Sequence, residues 1–175
     1  MSELRWRAFR AVPWVWTGWE RVYLRLHPVN RIRDGSLFTY RRQGGVLELH
    51  LDGRALARMR ESPGYSAFRV LHILRGDLAA IAAHVRSGEL DWVEEIRGTS
   101  LIGEAGAVLG FDTRPAPRTI GNVLQQYFLV GLDAVYHPLG LRPRSMRRWP
   151  VETTMTVRAL LERYPAKSAR SIDAL

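Results

Sequence analysis

The chain predicts an α+β fold, a small mixed sheet with a β-hairpin, packed by a long central helix and by N- and C-terminal helices. Three observations predict it. Val46 to Asp52 alternates apolar and polar residues as a half-buried strand does. Ser66 to Arg86 instead repeats apolar residues every three or four positions, the spacing of an amphipathic helix. Strand-like and helix-like stretches also follow one another along the chain, which points to a sheet packed by helices. At 175 residues and 46% hydrophobic composition, the length suits one domain with a sizeable core. A single domain over 1–175 is expected, with its core at 14–165 and tails at 1–13 and 166–175.

Taken in order, Trp14 to Leu26 places Trp16, Trp19, Tyr23 and Leu26 at helical spacing, and Pro28 ends that helix. Leu37 to Arg42 reads as a strand, Gly44-Gly45 as a tight turn, and Val46 to Asp52 as the returning strand of the hairpin. A short helix is expected after Gly53, stopped by Ser62-Pro63-Gly64. In the long helix, Phe68, Leu71, Leu74, Leu78, Ile81 and Val85 form one stripe. Trp92 to Arg97 is predicted as a strand, with Thr99 or Ser100 capping a short helix whose inner side is Leu101, Ala105, Val108 and Leu109 and which Gly110 closes. Phe111 to Arg114 is the next predicted strand, ended by Pro115 and Pro117. Ile120 to Tyr136 and Thr154 to Tyr164 are the last two predicted helices, joined by a Pro- and Arg-rich connection. The first of these contains Asn122, Gln125, Gln126 and Asp133 and is shorter than the ~20 residues of a bilayer crossing, so a buried helix is expected there.

Composition narrows the chemistry. There are 26 basic against 17 acidic residues, a formal charge of +9, and Lys167 is the sole lysine. Such an excess attracts polyanions: nucleic acid, anionic lipid or an acidic partner. No nucleic-acid motif accompanies it. The absence of cysteine removes disulfides, thiolate catalysis and Cys-based zinc sites. Arg5, Arg7 and Arg10 are not followed by an apolar run with a small-residue cleavage site. A cytoplasmic location, peripheral to the inner membrane, is therefore expected.

Five fragments in order, Val46-Leu-Glu-Leu-His-Leu-Asp52, Arg97-Gly-Thr-Ser-Leu-Ile102, Leu109-Gly-Phe111, His137-Pro-Leu-Gly140 and Leu160-Leu-Glu-Arg-Tyr164, resemble the YkoP-like domain family over roughly residues 14 to 165. That family occurs alone and as an extra domain after bacterial polysaccharide deacetylases. The resemblance implies bacterial origin and a link to envelope polysaccharide metabolism, with a polysaccharide-modifying enzyme as a partner, and it carries no reaction onto these positions. Gly53 stands where the family often has Asn, and its Trp-Met-Ser-like segment is matched loosely by Glu152-Thr-Thr-Met155. The Asp-Asp pair and His-x-x-x-His metal pair of the deacetylases themselves are absent, so the chain is not by itself such an enzyme.

The strand alternation puts Glu48, His50 and Asp52 on one face, a set suited to acid–base work or ligand binding. A nearby third zinc ligand is missing, so no metal and no cofactor is expected. A polar, partly solvated sheet face accounts for the same three residues without any reaction. Arg97, Thr99 and His137 are the expected ligand contacts, Thr99 through N–H groups at a helix start. Gly98 and Gly103 have Walker A spacing, but Glu104 and Ala105 follow where Lys and Ser or Thr are needed. A hydrolase or acyltransferase with His50 as base is the alternative; Arg97-Gly98 through Phe111 resembles in part the terminal helix and strand of acetyl-CoA-dependent N-acyltransferases, which would imply acyl-CoA binding. His137-Pro138 also reads simply as a helix terminator. Arg142, Arg144, Arg147 and Arg148 with Trp149 are expected to contact an anionic membrane or other polyanion, nucleic acid being the less favoured one.

Overall fold

The computed structural model describes Val22, Arg25, and residues 28–100, 103–136 and 149–166. Most of the Trp14–Leu26 helix, His137, Arg142, Arg144, Arg147 and Arg148 lie outside the described residues, as do 1–13 and 167–175 of the expected tails. Among the described residues six strands form one sheet: β1 (Asn30–Arg31), β2 (Phe38–Gln43), β3 (Val46–Leu51), β4 (Glu95–Ser100), β5 (Asp112–Pro115) and β6 (Val151–Thr156). The helices that accompany them there are α1 (Gly53–Glu61), α2 (Ala67–Ser87), α3 (Gly103–Leu109), α4 (Ile120–Tyr136) and α5 (Val157–Arg163). The architecture is α+β with a long central helix, as the patterns predict.

The sheet order is β1-β2-β3-β4-β6-β5. Pairing is antiparallel except between β3 and β4, which run parallel. A parallel pair needs a long crossover, and α1 with α2 supplies it. Gly44 turns the β2–β3 hairpin with φ +59°, a left-handed conformation that glycine adopts without a Cβ clash.

Local chemistry sets the helix limits. Asp52 caps α1 by accepting the Ala55 N–H at 2.9 Å, Ser66 caps α2 by accepting that of Arg69 at 3.2 Å, and Thr156 caps α5 by accepting that of Ala159 at 3.2 Å. Gly88 stops α2 in the left-handed region, φ +84°.

The core lies between the helices and one face of the sheet. Leu47 and Leu49 of β3, Ile96 of β4 and Met155 of β6 meet Leu74, Leu78, Ile81 and Ala82 of α2 and Leu160 of α5, all buried. Each large side chain so buried stabilises the fold by about 1.5–3 kcal/mol relative to exposure. Phe68 departs from the predicted stripe and is 85% exposed, because the first turn of α2 extends past the core that its later turns cover.

Three expectations are corrected. The strand predicted at Trp92–Arg97 is shifted to Glu95–Ser100, so Thr99 and Ser100 belong to a strand and do not cap a helix. The last helix begins at Val157 and not at Thr154, because Val151–Thr156 is a strand inserted between β4 and β5. The run Ile120–Tyr136 is only partly buried: Val130 is enclosed, whereas Ile120, Leu124 and Tyr127 face solvent. Its packing against α1 covers one side.

Candidate functional site

Alternation along each strand and the register between strands place a polar layer on the side of the sheet opposite the leucine core. Register partners form a row across five strands: Arg41 of β2 opposite Glu48 of β3, Glu48 opposite Arg97 of β4, Arg97 opposite Thr154 of β6, and Thr154 opposite Asp112 of β5. With neighbouring strands about 4.8 Å apart, this row extends roughly 19 Å. Beside it, Thr39 partners His50, and Thr99 partners Glu152, which in turn partners Arg114.

Glu48 is the electrostatic centre of the layer. Its Oε2 accepts from Arg41 Nε at 3.0 Å and Nη2 at 2.6 Å, and stands 3.5 Å from His50 Nε2. The His50 imidazole exerts the largest downward influence on the Glu48 carboxyl, burial opposes it, and the Arg41 guanidinium adds to the lowering, for a pKa of about 2. Glu48 is therefore ionised at any physiological pH. His50 Nε2 is buried and makes no aligned hydrogen bond among the described residues, so the Glu48 carboxylate compensates it by proximity alone.

The other arginines of the layer are also paired. Arg97 holds Glu95 on its own strand through Nε at 3.1 Å and Nη2 at 3.0 Å, and Arg114 Nε donates to Glu152 at 3.1 Å. Arg41, Arg97 and Arg114 thus each stand beside a carboxylate, and the face offers hydrogen-bonding groups of both kinds more than it offers net positive charge. Thr99 and Thr154 are half-buried between these pairs.

Of the residues singled out in the sequence, Glu48, His50, Arg97 and Thr99 lie on this face, Glu48 and His50 in contact and Arg97 in register with Glu48. Asp52 does not join them: it leaves the strand to cap α1, with Oδ2 3.6 Å from Arg31 Nη2. The strand ends at Leu51, one residue short of the expected Asp52. Thr99 lies inside the β4–β6 ladder, so it offers no free N–H groups of a helix first turn. Arg41, Asp112, Arg114, Glu152 and Thr154 were missed, since a row across strands needs a register that single-strand alternation does not contain. Among the described residues no group of three or more His, Asp or Glu could hold a metal ion, and no helix is long and apolar enough to cross a membrane.

Compared with known proteins, residues 10–164 match the family model described as the YkoP domain. No curated protein and no solved structure matches the chain.

Proposed function

This chain belongs to the YkoP domain family, and from that membership we propose that it is an accessory domain whose polar sheet face binds a hydroxyl-rich saccharide of envelope polysaccharide metabolism. In this reading the domain works in the cytoplasm beside a polysaccharide-modifying enzyme and performs no reaction itself. The row Arg41–Glu48–Arg97–Thr154–Asp112 carries the proposal. Donors and acceptors alternate along it on a rigid sheet. A sugar hydroxyl both donates and accepts, so it can bridge a carboxylate and a neighbouring guanidinium without displacing their charge pairing.

The same pairing weighs against a nucleic-acid site on this face, because phosphate recognition is driven by unpaired cations. A hydrolase or acyltransferase using His50 would need donors aimed at developing negative charge. Thr99, the expected source, lies within a strand.

The test is calorimetric titration and thermal shift of the full chain with neutral oligosaccharides, acyl-CoA and RNA at low and high salt. A saccharide response that survives high salt and is lost in Arg97→Ala is expected. Saccharides without effect, or binding confined to RNA and abolished by salt, would overturn the reading.

A further inference from the structure

An open cleft of about 330 Å³ lies where the turn before β2, α1 and the start of α2 meet. That volume is at the small end of the range in which proteins hold small molecules. Leu37, Ala55, Met59 and Ile73 give it an apolar lining, Leu37 buried in the core and the other three partly buried against it. Arg58 of α1 and Arg69 of α2 complete the lining from the two helices, and both are exposed.

The free polar groups of the cleft are donors. Arg58 makes no hydrogen bond or ion pair with the described residues. Arg69 donates Nη1 to the Pro63 carbonyl at 3.2 Å, which rests its guanidinium on the turn after α1 and leaves its other N–H groups unused. Ser62, also in the lining, directs its hydroxyl proton to the Met59 carbonyl at 2.6 Å. The carboxylates nearby do not take up these arginines. Asp77 is committed to Arg33 and to the backbone N–H groups of Leu37 and Phe38. Exposed Asp34 and Glu61 neighbour the lining residues Gly35 and Ser62 in sequence, but they lie outside the lining and form no ion pair with either arginine.

We infer that this cleft binds a small amphiphilic carboxylate. Its apolar body rests on Leu37, Ala55, Met59 and Ile73, and its anionic end lies between Arg58 and Arg69. Both halves are required by the lining. A bare anion would meet only exposed guanidiniums, whose attraction water screens, and a neutral apolar molecule would leave their donors without an acceptor. A carboxylate instead offers the guanidinium fork two parallel acceptors, while the attached chain covers the half-buried apolar side chains. None of the lining residues belongs to the polar sheet face, so the inference stands apart from saccharide binding.

NMR titration of the full chain, labelled at its methionine methyl groups, tests it. Met59 lines the cleft and Met155 is buried in the core, so the first methyl reports the site and the second serves as reference. Octanoate is the probe; octanamide keeps its chain without the charge, and acetate keeps the charge without the chain. Octanoate is expected to shift the Met59 methyl saturably, to leave that of Met155 in place, and to bind roughly tenfold or more tightly than octanamide or acetate. Arg58→Ala with Arg69→Ala should bring octanoate down to the affinity of octanamide at unchanged melting temperature. If loss of the Pro63 contact disturbs folding, Arg58→Gln alone should still weaken octanoate and leave octanamide unaffected. Arg97→Ala should change neither, which separates the cleft from the polar face. A Met59 methyl that ignores octanoate, equal affinity for octanoate and either control, or an octanoate affinity unmoved by the arginine substitutions would overturn the inference.

Discussion

Arg33 reaches from the turn before β2 to Asp77 in the middle of α2, its Nη2 3.0 Å from Oδ1 of a carboxylate with no solvent exposure. The other oxygen, Oδ2, accepts the backbone N–H groups of Leu37 at 2.8 Å and Phe38 at 3.1 Å. Asp77 therefore satisfies the first donors of β2 from inside the helical layer, while Arg33, half exposed, balances its charge. Gly76 makes the approach possible, since a Cβ there would come within 2.8 Å of Arg33 Nη2.

Replacing Asp77 by Ala is expected to cost about 3 kcal/mol or more, because two backbone donors lose their acceptor in the core. Arg33→Ala leaves a buried carboxylate uncompensated and should also destabilise. The double variant should lose less than the sum of the two, because the residues share one interaction. Urea unfolding of the three variants measures this; strict additivity would show that the pair is not coupled.

Glu48 predicts the acid side of the stability profile. Its carboxyl is lowered from 4.5 to about 2, so its contribution is fully present above pH ~4.5 and is lost as pH falls toward 2. Allowing for solvent screening of this partly exposed group, about 1–2 kcal/mol is at stake. Glu48→Gln should be less stable than the parent at pH 7 and should differ from it progressively less below pH 4, as read by melting temperature across that range.

Asp52 is read as a helix cap and not as a ligand contact. Asp52→Ala should cost about 1 kcal/mol, and Asp52→Asn, which keeps the accepting oxygen, a few tenths at most. Saccharide binding should be unchanged in both. A binding loss in the Asn variant at parental stability would return Asp52 to the site.

Gly106 gives α3 its close seat on the sheet. A Cβ there would stand 2.9 Å from Thr153 Cγ2 and 3.3 Å from Thr113 Cγ2. Gly106→Val should destabilise by about 1–3 kcal/mol through overpacking. Gly106→Ala with Thr153→Ser, which removes the opposing methyl, should be more stable than Gly106→Ala alone, and thermal melting of the two decides it.

The hairpin, the long helix and the Glu48–His50 pair were legible because each is written in a short-range pattern. Leu47, Leu49, Leu74, Leu78 and Ile81 recur at periods that only one backbone conformation brings to a common face. β6 was not legible as a strand. Its alternation of Val151, Thr153 and Met155 with Glu152, Thr154 and Thr156 is clear once the sheet is known, but threonine both favours strands and caps helices. Thr156 performs the capping role on the strand's last residue, which drew the helix start toward Thr154. Asp77 was hidden for a different reason: a carboxylate in an apolar stripe looks solvated until its backbone partners, forty positions earlier, are brought beside it. The polar row stayed partly hidden because Arg97 meets Glu48 only through a parallel crossover of more than forty residues.

The insertion of β6 between β4 and β5 also orders events during synthesis. β5 pairs with no other strand among the described residues, and β4 has its antiparallel neighbour only when Val151–Thr156 arrives. A nascent chain that has reached α4 can assemble the hairpin and its parallel partner, but it holds β4 as an open edge with Ile96 still awaiting Met155. The ribosome must therefore deliver nearly the whole domain before the sheet can close, and until then that edge is the part of the chain most in need of chaperone protection.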